Sequence, residues 1–192
     1  MKKARGLALL TFAGGLLFPQ LISAREAKIN ASLGTGIYLS ALNEPLFEFR
    51  GSVGLDRKYI GGGFNLAYIT GKNGEMDISI SRLEALSHLN LPIGNRVNLR
   101  AGAGGTLISR SEKIKKTEER MIEGSRVIQD PTVTYGTDML AVGPVVNVGL
   151  DIFDKTGNNN FYLDLSWSSA GVKSFGRNIG GFSGVVGIGF KY

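Results

Sequence analysis

The segment Gly181–Tyr192, GFSGVVGIGFKY, alternates with a period of two. Phe182, Gly184, Val186, Ile188, Phe190 and Tyr192 fall on one face, and Ser183, Val185, Gly187, Gly189 and Lys191 on the other. Successive side chains of a strand point to opposite faces. A face of large apolar residues opposite small or polar ones suits a strand with lipid outside and a crowded barrel interior.

The same alternation runs upstream. Ile29 to Ser40, Phe47 to Asp56, Ile60 to Tyr68, Arg82 to Leu91, Val97 to Gly104, Leu140 to Asp151 and Phe161 to Ser168 each repeat it, which makes eight strands with the last. One break of phase, between Ile80 and Leu83, reads as a bulge or as the edge of the membrane. Three connections are short and turn-like: Asp56-Arg57-Lys58, Pro92-Ile93-Gly94-Asn95, and Asp154 to Asn160. The only long one runs from Ser109 to Asp138. Short turns on one side and longer loops on the other is the arrangement of an outer-membrane barrel, and an even strand count brings both termini to the periplasm.

The long segment holds six basic and six acidic residues. Either strand phase of Glu112 to Met121 would turn several of these charges toward lipid. Arg or Lys on the lipid face near the midplane costs about 2–4 kcal/mol each. The segment therefore belongs outside the membrane.

The polar faces carry Glu48, Arg50, Arg82, Glu84, Arg100, Asp151 and Asp164, with His88 among them. A soluble sandwich or lipocalin-like barrel would have to bury those charges in its core at a large desolvation cost. A membrane barrel of eight strands is only wide enough to be filled by its own side chains. These residues are therefore expected to pair in an interior network that plugs the barrel; a narrow gated ion path is the alternative. The outward faces hold Phe47, Phe49, Phe64, Tyr68, Phe161, Trp167, Phe190 and Tyr192, enough for aromatic girdles at the two interfaces.

The N-terminus reads as an export signal. Met1 to Arg5 are basic, Gly6 to Leu21 carry no charge, and Ile22-Ser23-Ala24 offers a cleavage site, so the mature chain is expected to start near Arg25. Formal charge is +6 and pI about 9.6, but Lys2, Lys3 and Arg5 supply half of that excess, which weakens a nucleic-acid reading. No later stretch holds the roughly 18 apolar residues of a membrane helix. There is no Cys, which excludes disulfides, thiol catalysis and Cys-based metal sites.

As architecture, the chain from residue 25 on resembles the small eight-stranded outer-membrane barrels of the OmpA transmembrane-domain and OmpX/Ail type. The specific part is Gly187-Ile188-Gly189-Phe190-Lys191-Tyr192. With Val186, Ile188, Phe190 and Tyr192 alternating to a terminal aromatic, it looks like the C-terminal signal read by the barrel-assembly machinery. That family usually ends in Phe, and Tyr192 departs from it. The resemblance implies an antiparallel up-and-down transmembrane barrel over residues 25–192, in the outer membrane of a Gram-negative-type cell and monomeric.

Catalytic and cofactor sites are not expected. His88 is the sole histidine, so a His-based metal cluster is excluded. A His and Ser pair would suit a lipid-modifying barrel enzyme, but Ser87 and His88 are adjacent on a strand and point to opposite faces. Gly102, Gly104 and Gly105 lack the Lys-Ser/Thr and helix of a phosphate loop. They read instead as small inward residues. The functional candidates are Lys113, Lys115, Lys116, Arg120 and Arg126 of the 109–138 segment, facing lipopolysaccharide phosphates, an acidic polymer or an unidentified host partner. The alternative is a solvated hairpin extending above the membrane. Val127, Ile128, Val133 and Tyr135 also suit strands that continue upward and present an edge for pairing. The expected role is thus structural or adhesin-like, with a small channel second and a lipid-modifying enzyme third.

Overall fold

The computed structural model describes residues 27–40, 45–73, 76–122, 125–172 and 177–192. The proposed signal segment lies outside them. The described chain forms β1 (Lys28–Ser40), β2 (Pro45–Asp56), β3 (Ile60–Asn73), β4 (Met76–Ile93), β5 (Val97–Ile122), β6 (Ser125–Phe153), β7 (Asn159–Ser168), the short β8 (Gly171–Val172) and β9 (Arg177–Asn178), and β10 (Gly181–Lys191). Eight of them close an all-antiparallel barrel in the order β1-β10-β7-β6-β5-β4-β3-β2, while β8 and β9 pair with each other. The seam closes where β10 meets β1, from Asn30 opposite Lys191 to Ser40 opposite Gly181. Closure leaves no free edge within the span, as lipid requires.

The start of β1, the end of β10 and the three tight turns lie at one end of the barrel. Two of those turns use Gly94 and Gly157 at φ of 66° and 73°, where a Cβ would be strained. The alternation places Leu33, Ile37, Phe47, Phe49, Phe64, Leu66, Val148, Phe161 and Ile188 outward and exposed, and charges inward and buried. Phe49 lies opposite Tyr68, and Trp167 opposite Phe182, near the loop end. Tyr59, Phe161 and Tyr192 lie near the turn end. These are the two girdles of a lipid-facing band.

One expectation is corrected. There is no bulge between Ile80 and Leu83: β4 pairs with β3 and β5 without a register shift there. Ile78, Ile80, Arg82 and Glu84 all point inward, so the lumen changes character while the backbone keeps its phase. At the loop end Tyr38, Leu46, Ile69, Ile78, Ile80, Ile108, Met139, Ala141, Ala170 and Ile179 pack into an apolar layer inside the barrel. The 109–138 segment takes the hairpin form that the sequence offered. It continues β5 and β6 as one ladder, interrupted by a single register shift between Thr117 and Glu119.

Candidate functional site: the lumen and the protruding hairpin

Interior positions come from the even-numbered residues of β2, β4, β5 and β7 and the odd-numbered residues of β6, which the register stacks across neighbouring strands. Glu48 sits fully buried on β2. Its Oε1 accepts from Arg50 Nη2 and from Arg82 Nη2, each at 2.6 Å, and its Oε2 accepts from the Ser183 hydroxyl. Arg82 Nε lies 3.2 Å from Glu84 Oε1, and Asn65 Nδ2 donates to Glu84 Oε2 at 2.9 Å. Arg100 bridges Asp151, at 2.8 Å, and Asp164, at 2.9 Å. Arg50 Nη1 comes within 3.8 Å of Asp164 Oδ2 and joins the two groups. Buried charges need such partners, because each ion loses its hydration. The Arg82 guanidinium also lies 5.2 Å from the centre of the Tyr38 ring, so the charged belt abuts the apolar layer directly.

Nearer the turns, Asp56 is the meeting point of three strands. His88 Nε2 is 2.8 Å from one carboxylate oxygen and Lys191 Nζ 3.0 Å from the other. Gly61 makes the room: a Cβ there would collide with both Asp56 and His88. A cavity of about 50 Å³ opens beside this cluster, bordered by Asn30, Asn147, Asp151, Asn160 and Tyr162 as well as Asp56 and Lys191. That is room for a few waters, each needing about 10–15 Å³. Arg100 and Asp151 of the belt border it, while Glu48, Arg50, Arg82 and Glu84 do not.

Glu48, Arg50, Arg82, Glu84, Arg100, Asp151 and Asp164 are brought together, and His88 stands apart from them with Asp56. Ser87 is on the outer face, opposite Ala103 and Gly62, so it cannot meet His88. Gly102 and Gly104 face inward, but Gly105 lies on the lipid face between Ala85 and Pro144. Sequence reading missed Arg110, fully buried with its Nε 2.7 Å from Glu112, and the cluster at Asp56 and Lys191. The parity that exposed Arg100 also applies to Arg110, while Asp56 was read as a turn residue.

The hairpin rises past its neighbours. β4 accompanies β5 only to Ile114, and β7 accompanies β6 only from Val145 on. Among the described residues, β6 from Ser125 to Asp138 has a ladder partner in β5 alone. Lys113 is exposed on this hairpin. Lys115, Lys116, Arg120 and Arg126 have ladder positions, but their side chains lie outside the described part. At the seam, Val186, Ile188 and Tyr192 face outward, and Tyr192 exchanges backbone hydrogen bonds with Ile29 at 2.8 and 3.1 Å.

This barrel is the fold of the small eight-stranded outer-membrane proteins. Neisserial surface protein A superposes with a TM-score of 0.53 at 16% identity, over 86% of this chain and 95% of that one. Ail, the attachment invasion locus protein of Yersinia pestis, superposes with a TM-score of 0.51 at 10% identity, over 86% and 97%. Its complex with the heparin analogue sucrose octasulfate gives 0.54 at 12% identity, over 87% and 99%. No protein-family model matches the sequence, and no curated protein does. The likeness is therefore one of fold.

Proposed function

We propose that the protein is exported, assembles in the outer membrane, and works at the cell surface through the β5–β6 hairpin rather than through its lumen. The observation that carries this reading is the filled lumen: Glu48 is gripped by Arg50 and Arg82 and capped by the apolar layer. A closed, self-paired interior leaves a rigid stave, and the feature that exceeds what spanning requires is the hairpin. Its unpartnered edge supports strand addition by an extended partner. Its lysines and arginines support contact with lipopolysaccharide phosphates or an acidic polymer; the sucrose octasulfate complex of Ail, a protein of the same fold, points the same way. Assembly through the C-terminal signal, monomeric state and the absence of catalysis belong to the same reading.

The water-sized cavity on the turn side favours a second reading, a small gated channel. Planar-bilayer recording separates the two. The proposed function expects a silent bilayer from folded protein, together with heparin retention that disappears when residues 114–137 are replaced by a two-residue turn. Steady conductance steps would overturn it and give the function to the lumen.

A further inference from the structure

The turn end of the barrel carries a one-sided charge. Each of the three tight turns presents a cation: Arg57 and Lys58 between β2 and β3, Arg96 between β4 and β5, and Lys155 between β6 and β7. Lys28 adds a fifth at the start of β1. Lys28, Lys58, Arg96 and Lys155 are exposed. The acids offset them only in part: Asp154 balances Lys155 within the β6–β7 turn, and the excess comes from Lys28, Lys58 and Arg96. Asp56 is turned into the lumen and held by His88 and Lys191. Asp154, the one exposed acidic side chain among the described residues of these turns, is engaged by its own turn: Thr156 Oγ1 donates at 2.8 Å and Asn159 Nδ2 at 2.8 Å. Consecutive turns are separated by a strand pair, roughly 10 Å across the sheet, so the cations form a ring and not a cluster. The other end differs: there Lys72 lies 3.6 Å from Asp77, and the hairpin base carries Glu112 beside Lys113.

The ring stands at the level of the turn-end aromatics. Lys58 Nζ lies 5.0 Å from the centre of the Tyr59 ring, and Tyr59, Phe161 and Tyr192 are all exposed there. Aromatics of this kind sit at headgroup depth, where anionic lipid attracts nearby Lys and Arg. We infer that this rim is a docking ring for anionic phospholipid headgroups, engaging Lys28, Lys58, Arg96 and Lys155 in the leaflet on the turn side. The inference rests on the barrel spanning a bilayer, not on the hairpin's role, and it survives either outcome of the conductance test. The ring would set which leaflet the turns occupy and hold the barrel at a fixed depth.

The test is spin-label lipid selectivity of the folded protein in phosphatidylcholine bilayers, comparing phosphatidylglycerol with phosphatidylcholine probes. The expected preference for phosphatidylglycerol is on the order of fivefold per engaged site, the equivalent of about 1 kcal/mol for one cation at an anionic surface. It should vanish at high salt and in the protein carrying Lys28→Gln, Lys58→Gln, Arg96→Gln and Lys155→Gln together. It should survive in Lys72→Gln/Lys113→Gln and in excess inorganic phosphate at constant ionic strength. A preference absent from the wild-type protein, or retained in the fourfold variant, overturns the inference. Displacement by inorganic phosphate overturns it in favour of a free-anion site. Co-sedimentation with peptidoglycan that needs the same four residues, without lipid preference, overturns it in favour of a wall contact. If the fourfold variant fails to show a heat-dependent gel shift, the salt titration of the wild-type protein decides alone: a preference insensitive to salt overturns the inference.

Discussion

At the residue scale, the lumen is held by a few multiply used groups. Arg82 serves both Glu48 and Glu84, so Arg82→Ala leaves two buried carboxylates with fewer partners. We expect a loss of about 3–5 kcal/mol in urea unfolding from bilayers, the range for breaking a buried pair. Replacing Arg82 and Glu48 together by apolar residues of similar volume should cost less than Arg82→Ala alone, because no charge is stranded. Asp154 offers a separate check outside the span. Hydrogen bonds from Thr156 and Asn159 hold its carboxyl down, to about 2. A depressed acid contributes stability above its ordinary range and loses it as pH falls. The β6–β7 turn should therefore stay ordered through pH 4 and loosen only as pH approaches about 2; an Asp154 titration midpoint in the ordinary carboxylate range, read by NMR, would refute this.

At the element scale, the hairpin and the turns do different work. Among the described residues the β5–β6 ladder above the barrel has fewer strand partners, so it belongs to the low-stability end of the fold. Hydrogen exchange should be fast between Lys115 and Thr134 and slow between Ala103 and Val146, which pair in the middle of the barrel wall. Removing the hairpin above Ile114 should leave the heat-modifiable barrel intact. Gly157→Ala should destabilise by about 1–2 kcal/mol, the cost of an L-residue in left-handed conformation. An unchanged urea midpoint would show that this turn relaxes.

At the scale of the whole molecule, two layers stand in series along the lumen: the belt centred on Glu48 and the apolar layer of Tyr38, Ile80, Ile108 and Ile179. Charge-neutral variants of the belt should remain silent in planar bilayers, because the dry layer still excludes ions. Conductance should require opening both, for example Glu48→Gln and Arg82→Gln with Ile80→Ser and Ile108→Ser. Steps from the belt variant alone would show that the apolar layer is no barrier. Period-two alternation was enough to predict the barrel, its strand count and the inward direction of Glu48, Arg50, Arg82, Glu84, Arg100, Asp151 and Asp164, because side-chain direction on a strand is a local property. The same local rule failed at Ile78 and Ile80: apolar residues were assumed to face lipid, although a lumen can hold a hydrophobic layer of its own. Which strands become neighbours, and at what stagger, is a long-range matter of barrel closure. Only the tertiary structure could therefore join Asp56 on β2 to His88 on β4 and Lys191 on β10.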